Sequence, residues 1–281
     1  MTEAPTPLAG VLQSADQPSA VTSVYDHWLS AMDLPGRYVP LTVAGENLGE
    51  VIRTLPKAGF VGLNITRPYQ HRVLDHADII TDRAALMSGA NTIIFRRDGK
   101  IHADNTDGYG FIENIRQGAQ GWNPRSGPAA VFGAGRAARE VITALLEVGV
   151  EEIRIASRTK PRADALRSEF GTRIVTTDWV KGGNIIEGAA TVVNATPLGS
   201  PGAQEFRVPL DGLMPGAVVS DLAISPRMTR LLRVAVEMGC YPVDGIGMVL
   251  YQAAPAFERW FGKRPEVDQA ARAAATKAYS A

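Results

Sequence analysis

Apolar residues along this chain fall into short runs of strand length, separated by stretches in which they recur every three or four positions. Leu8–Leu12, Arg37–Val43 and Phe60–Thr66 predict three strands near the start. Between them, Val21, Val24, Trp28, Leu29 and Met32 predict a helix over Ser19–Met32, after a polar loop from Gln13 to Pro18, and a second helix is predicted over Asn47–Ala58. Asn91–Phe95 and Lys100–Ala103 flank Arg96-Arg97-Asp98-Gly99, whose Asp-Gly pair signals a hairpin, so this first sheet is expected to have an antiparallel edge. A helix predicted from Thr106 to Ile115 leads out of it. The runs Ala129–Phe132, Glu152–Ala156, Arg173–Thr176, Thr191–Asn194, Val218–Asp221 and Tyr241–Val243 read as a second set of strands. Strands alternating with helices argue for two α/β domains with mainly parallel sheets. Gln120–Pro128, rich in Gly, Pro and polar residues, is the expected linker, giving domains over 1–120 and 128–246. The helix Gly247–Phe261 and the tail from Pro265, within 247–281, are apolar on one face and are expected to pack back on the first domain.

The second domain begins with a strand, a glycine turn and a helix. Ala129–Phe132 is followed by Gly133-Ala134-Gly135, and Ala137, Val141, Ala144, Leu145 and Val148 then carry helical spacing from Arg136 to Val148. The pattern is G-x-G-x-x-A, with Ala138 in the third slot, the arrangement of a Rossmann dinucleotide site. Gly133 permits the tight turn, Gly135 lets a pyrophosphate approach the N–H groups of the helix N-terminus, and Ala138 keeps helix and strand close. About 20 residues on, an NAD site usually places Asp or Glu on the ribose 2′-hydroxyl. This chain has Ser157-Arg158-Thr159 there, with Lys160 and Arg162 following. A guanidinium clamps a 2′-phosphate that a carboxylate would repel, so the expected cofactor is NADP.

At 281 residues the chain can build two cores. Formal net charge of +0 gives no basic surplus for nucleic acid or an anionic membrane. The single cysteine, Cys240, excludes an internal disulfide framework, fits a reducing compartment and reads as a buried core residue. No apolar window reaches transmembrane length. The opening Met1-Thr-Glu-Ala-Pro-Thr-Pro7 lacks the basic and apolar regions of a signal peptide. The expectation is a cytoplasmic protein, monomer or homodimer, whose partner is a small molecule; no metal is called for.

With these segments in hand, the chain resembles the shikimate/quinate dehydrogenases and their paralogues over nearly its whole length. Gly62-Leu-Asn-Ile-Thr-Arg-Pro68 is similar to the family's N-[VI]-T-x-P, Gly89-Ala-Asn-Thr-Ile93 to A-V-N-T-I, and Asn105-Thr-Asp-Gly-Tyr-Gly-Phe111 to N-T-D-G-x-G-F. Ser157-Arg-Thr159, Asn194-Ala-Thr-Pro-Leu-Gly199 and Gly245-Ile-Gly-Met-Val-Leu-Tyr-Gln252 match further segments in order and spacing. The resemblance implies NADP-linked oxidation of a ring hydroxyl in a cyclic carboxylic acid. It implies substrate contacts from Ser19, Thr22, Asn64, Thr66, Asn91 and Gln252. Cofactor contacts are implied for Gly133, Ala134, Gly135, Arg136, Ala137, Ser157, Arg158, Thr159, Arg162, Thr196, Pro197, Leu222, Gly245 and Met248.

Three positions depart from the family. Its catalytic pair is a lysine and an aspartate; the aspartate maps onto Asp107, but the lysine position, two residues after Pro68, holds Gln70. The second serine of S-x-S-P falls on Val21, unless Thr22 takes over, and a tyrosine falls on Ile224 in Asp221-Leu-Ala-Ile224. Glutamine hydrogen-bonds but cannot titrate, so the proton of the reacting hydroxyl falls to Asp107, or to His71 or Tyr69 nearby, or the chemistry is slow. Three readings follow: a dehydrogenase for a hydroxylated ring acid that need not be shikimate, an NADP-binding paralogue that has lost turnover, or true shikimate dehydrogenase activity in spite of Gln70.

Overall fold

The computed structural model describes residues 6–16 and 19–280, the side chain of residue 280 excepted. The loop residues Gln17 and Pro18 and the first five residues, where a signal peptide was discounted, lie outside the described residues.

The chain divides into two compact units, residues 1–107 with 252–279, and residues 108–251. The first contains β1 (Leu8–Gln13), α1 (Thr22–Ala31), β2 (Arg37–Thr42), α2 (Leu48–Thr54), β3 (Phe60–Ile65), α3 (Tyr69–Arg72), β4 (Ile79–Ile80), α4 (Asp82–Leu86), β5 (Thr92–Phe95) and β6 (Ile101–Asp104). Its sheet runs in the order β2-β1-β3-β5-β6-β4. β1 is parallel to β2 and β3, β4 is parallel to β6, and β5 is antiparallel to both its neighbours. The Asp-Gly hairpin forms, but not as an edge: the two-residue strand β4 adds beyond β6 and makes β5 and β6 interior. α2 gives way to 3₁₀ geometry over Leu55–Ala58, since Pro56 has no N–H to continue the α ladder.

The second unit takes most of α5 (Asp107–Gly118), then β7 (Ala129–Phe132), α6 (Arg136–Glu147), β8 (Ile153–Ser157), α7 (Lys160–Phe170), β9 (Ile174–Asp178), β10 (Thr191–Asn194), β11 (Val218–Asp221), α8 (Arg230–Glu237) and β12 (Tyr241–Val243). All six strands are parallel, in the order β12-β11-β10-β7-β8-β9, with β7 central. α9 (Gly245–Phe261) starts in this unit and ends in the first, where α10 (Gln269–Ser280) also belongs. The break between units falls at Asp107/Gly108, not in the expected linker Gln120–Pro128. Phe111, Ile112 and Ile115 of α5 are buried in one cluster with Val141 and Leu145 of α6, so that helix belongs to the second core.

An aromatic cluster anchors the end of the chain to the first unit. Tyr25 stacks on Tyr38 with ring centroids 3.8 Å apart, and Trp28, Phe257 and Trp260 surround the pair. Gly62 of β3 lies directly under the Trp260 indole, where a Cβ would collide with the ring. Rings of this size bury about 150–250 Å² each, enough to make α9 part of this core.

Candidate functional site

Asp107, at the start of α5, is only 8% exposed. Its Oδ1 accepts from Asn91 Nδ2 at 2.9 Å, and its backbone N–H is held by Asn105 Oδ1 at 3.0 Å. Asn91 is oriented from its other end, where Oδ1 accepts from Thr92 Oγ1, Thr106 N–H and Thr106 Oγ1 at 2.9–3.1 Å. That saturates the carbonyl and leaves the amide N–H₂ to face the carboxylate. Asn64 joins from β3, donating Nδ2 to the Asn91 backbone carbonyl at 3.3 Å and accepting at Oδ1 from Tyr38 OH at 2.7 Å. Thr106 Oγ1 also reaches the Gln252 carbonyl at 2.9 Å. Asn64, Asn91, Asp107 and Gln252 thus lie on one hydrogen-bonded chain within the first unit.

The other candidates flank this chain. Thr66 is anchored to the Leu12 carbonyl by Oγ1 at 3.2 Å. Gln70 donates Nε2 to the Ile65 carbonyl at 2.9 Å, and its own carbonyl accepts the Ala90 N–H, next to Asn91. Ser19 is held by its N–H on Gln13 Oε1 at 2.8 Å, and Thr22 Oγ1 is buried without a partner. The two alternative proton carriers are turned to structural tasks: Tyr69 is buried with its hydroxyl on the Val43 carbonyl at 2.6 Å, and His71 is exposed with Nδ1 2.9 Å from the Ser88 carbonyl. The titratable group within the chain is Asp107.

Behind it, Asp104 fixes the end of β6. Arg83 clamps its carboxylate through Nε at 2.6 Å and Nη2 at 2.5 Å, while Thr81 Oγ1 and the Asn105 N–H add further bonds. Burial pushes the Asp104 carboxyl up, but the Arg83 hydrogen bonds and charge outweigh it and hold the group below the usual carboxylate range. Its contribution to stability is therefore present above the ordinary carboxylate pKa and lost as pH falls through the lowered one. Arg83→Ala is expected to destabilise the protein by about 1.5–3 kcal/mol at neutral pH, toward the lower end because the Arg83 side chain is 43% exposed. Thermal melts of both proteins between neutral pH and acid check this: the gap should narrow in acid, and a gap independent of pH would contradict it.

In the second unit the glycine turn takes the expected geometry. Gly133 has φ +113° and lies against Ala195, Gly135 is extended with open space where a Cβ would sit, and Ala138 is fully buried. A cavity of about 410 Å³ at this turn is lined by Ala134, Gly135, Arg136, Arg139 and Arg162. Arg136 bonds Glu140 through Nε while its Nη2 is buried without a partner. Ala137 occupies the first turn of α6 beside it.

A second cavity of about 410 Å³ is lined by Arg158, Trp179, Leu198, Gln204, Glu205 and Arg207. Ser157 Oγ accepts the Thr159 N–H at 3.1 Å and fixes the turn that presents Arg158. Arg158 and Arg162, grouped on one phosphate by the sequence reading, line different cavities, because Arg162 sits a turn further along α7. Trp179, Gln204 and Arg207 carried no motif; only the fold brings them beside Arg158.

Asn194, Thr196 and Asp221 form a buried polar network at the ends of β10 and β11. Thr196 Oγ1 donates to Asn194 Oδ1 at 2.6 Å, and Asn194 Nδ2 donates to Asp221 Oδ1 at 3.0 Å. Burial raises the Asp221 carboxyl above its ordinary range, against hydrogen bonds from Thr229, the Ala223 N–H and Asn194. Pro197 continues the Asn194–Gly199 turn, and the Leu222 N–H bonds the Asn194 carbonyl at 3.1 Å. A Cβ at Gly245 would stand 2.6 Å from the Ala223 carbonyl, so glycine is required there; Met248 packs against the core. Ile224 is half-buried after this network and supplies no hydroxyl.

Residues 17–93 match the shikimate dehydrogenase substrate binding domain, residues 122–205 the shikimate / quinate 5-dehydrogenase family, and residues 245–274 the shikimate 5′-dehydrogenase C-terminal domain. The chain is 58% identical to a shikimate dehydrogenase (NADP(+)) of Cereibacter sphaeroides over 268 residues, 95% of this chain and 96% of the relative. Among solved structures, the quinate dehydrogenase of Corynebacterium glutamicum in complex with NAD superposes with a TM-score of 0.86 at 26% identity, covering 98% of this chain and 99% of the other. The shikimate 5-dehydrogenase of Thermus thermophilus in complex with NADP(H) and shikimate does so with a TM-score of 0.81 at 31% identity, covering 97% and 99%.

Proposed function

The chain belongs to the shikimate dehydrogenase family, and from this we infer an NADP-dependent oxidoreductase that transfers hydride between NADP(H) and a hydroxylated ring carboxylic acid, shikimate-like or quinate-like. The observation that carries the reading at residue level is the Asn64–Asn91–Asp107 chain, which holds a buried carboxylate ready for a substrate hydroxyl. The glycine turn and the two arginine-lined cavities suit a dinucleotide. Gly135 leaves room for a pyrophosphate at the α6 N-terminus, and the orphaned Arg136 Nη2 is a donor awaiting an anion. When bound, NADP supplies the hydride acceptor for oxidation and, reduced, the donor for the reverse reaction.

The protein's own residues handle the proton and the orientation. Asp107 accepts a hydrogen bond from the reacting hydroxyl and takes its proton as hydride departs. Asn91 fixes the carboxylate, while Ser19, Thr22, Asn64, Thr66 and Gln252 orient the ring acid. Gln70 offers a hydrogen bond where a lysine would offer a proton. Cys240, buried as a free thiol, fits a reducing, cytoplasmic setting. Among the described residues no helix is long and apolar enough to cross a membrane.

A second reading, an NADP-binding paralogue with little turnover, is favoured by one observation: the Gln70 amide is committed to the Ile65 carbonyl. A panel of ring hydroxy acids with NADP, followed at the absorbance of reduced nicotinamide, separates the two. Turnover of any panel member supports the enzyme, and none across the panel supports the paralogue. Trp179 provides an independent check on cofactor placement. NADP is expected to change the tryptophan emission of the wild type, and the change should be lost in Trp179→Phe while affinity by calorimetry persists. An unaltered response in that variant would place the cofactor elsewhere.

A further inference from the structure

The first strand ends in a buried amide. Gln13 closes β1, which lies between the parallel neighbours β2 and β3, and is only 7% exposed. Its backbone is fixed from both sides. The Gln13 carbonyl accepts the Val43 N–H at 3.0 Å, and the Leu12 carbonyl before it accepts Thr66 through N–H at 3.0 Å and Oγ1 at 3.2 Å. Leu12, Leu63 and Ile65 belong to one apolar core, while Val11 pairs with Asn64 across the β1–β3 ladder. Strand alternation therefore puts Gln13 on the face of the sheet that carries Asn64, with Thr66 alongside.

From there the side chain reaches the segment that enters α1. Gln13 Oε1 accepts the Ser19 N–H at 2.8 Å. A backbone N–H needs an acceptor, so this bond fixes which end of the amide is the carbonyl. The N–H₂ end keeps two protons to give. The same segment offers two hydroxyls. Ser19 Oγ accepts the Val21 N–H at 3.4 Å and carries a proton of its own, and Thr22 Oγ1 is buried without a partner. Gln13 thus stands between Ser19 on one side and Thr66 and Asn64 on the other, within the first unit.

We propose that Gln13 is a substrate-binding residue whose amide N–H₂ donates to the carboxylate of the ring acid, beside the hydroxyls of Ser19 and Thr22. The assignment rests on the ring-acid reading above. A carboxylate matches this set of donors, because it only accepts and has about four lone-pair sites to share among them. Hydrogen bonds to an ionised acceptor are also the stronger kind. The location agrees, since ligands of open α/β sheets bind outside the carboxyl ends of the parallel strands. Glutamine can hold Ser19 and the acid together because the two ends of its amide have opposite roles. A glutamate would still hold Ser19 but would repel the acid.

That contrast sets the test. Full-length wild type, Gln13→Glu and Gln13→Met are compared by calorimetry with shikimate and quinate in the presence of NADP, at about pH 8, where a glutamate is ionised. Gln13→Glu keeps the acceptor for the Ser19 N–H and loses only the donor. It is expected to weaken binding of whichever acid the wild type takes by about 10–100-fold, the size of a lost hydrogen bond to a charged group. Gln13→Met keeps the length without donor or charge, should cost at least as much, and serves where a buried glutamate disturbs folding. NADP affinity and a thermal melt report the fold of each variant. Acid binding kept in Gln13→Glu but lost in Gln13→Met marks a residue that only holds Ser19, and overturns the assignment alone. Wild-type affinity in Gln13→Met overturns it as well. A wild type that binds neither acid overturns the functional reading and this assignment with it.

Discussion

Gln70→Lys is expected to raise kcat/KM for shikimate or quinate by about tenfold at least, toward the 10²–10⁴ that a positioned proton-transfer group contributes. The backbone at this position is already fixed. Gln70 lies in the short helix α3, its carbonyl accepts the Ala90 N–H at 2.8 Å, and the next residue, Asn91, bonds Asp107. A lysine there extends past the Ile65 carbonyl that now holds the glutamine amide, bringing an ammonium toward a carboxylate already oriented for it. The pair then shares a titratable proton, which glutamine and aspartate cannot do. The measurement is steady-state kinetics of both proteins on shikimate and quinate, with NADP affinity as the control for folding. A rise supports a site intact apart from its lysine. No rise, together with weaker ligand binding, indicates a pocket reshaped for another acid, in which the new ammonium is poorly solvated. Wild-type turnover of shikimate at about 10⁴–10⁸ M⁻¹s⁻¹, the range of efficient enzymes, would show that Gln70 is no handicap.

Arg158→Ala is expected to cut NADP affinity by about 10–100-fold while leaving NAD affinity nearly unchanged. The loss corresponds to about 1.5–3 kcal/mol for hydrogen bonds to a charged group. The exposure of Arg158 places it toward the lower end. Arg207, which lines the same cavity, is paired with Glu205 at 3.3 Å, and its side chain is 84% exposed. Arg207→Ala should therefore cost less than Arg158→Ala. Titration of both nucleotides into the three proteins at two salt concentrations decides the matter. Equal affinity of the wild type for NAD and NADP would overturn the arginine assignment, and the discrimination should weaken as salt screens the cavity.

Much of the architecture could be read from local pattern, because the physics involved is local. The runs Ala129–Phe132 and Thr191–Asn194 are apolar throughout or nearly so, as strands covered on both faces require, and both form with the expected limits. The turn Gly133-Ala134-Gly135 could be read because only glycine tolerates its positive φ and leaves space above the helix N-terminus. Asp107, Asn91 and Asn64 could be named because each lies in a segment that resembles a family motif, Asn105-Thr-Asp107, Ala90-Asn-Thr-Ile93 and Asn64-Ile-Thr66. Val21, Gln70 and Ile224 stood out for the chemistry they cannot perform, a property of the side chain itself.

Tertiary structure decided whatever depends on residues distant in sequence. Ile79–Ile80 is too short to show a period, and it is a strand only because β6 offers an open edge to pair with. Helix α5 has a stripe that would suit either unit; the burial of Phe111 and Ile115 beside Val141 assigns it. Tyr69 and His71 looked free to carry a proton until the Val43 and Ser88 carbonyls engaged them across 26 and 17 residues of chain. Trp179 and Arg207 reach Arg158 through packing alone. The residue types and spacings specified which chemistry the chain can hold, because bonding capacity and backbone freedom are carried by each residue. Which groups meet was set by folding, because a contact's energy belongs to a pair, and no pattern within one segment encodes its distant partner.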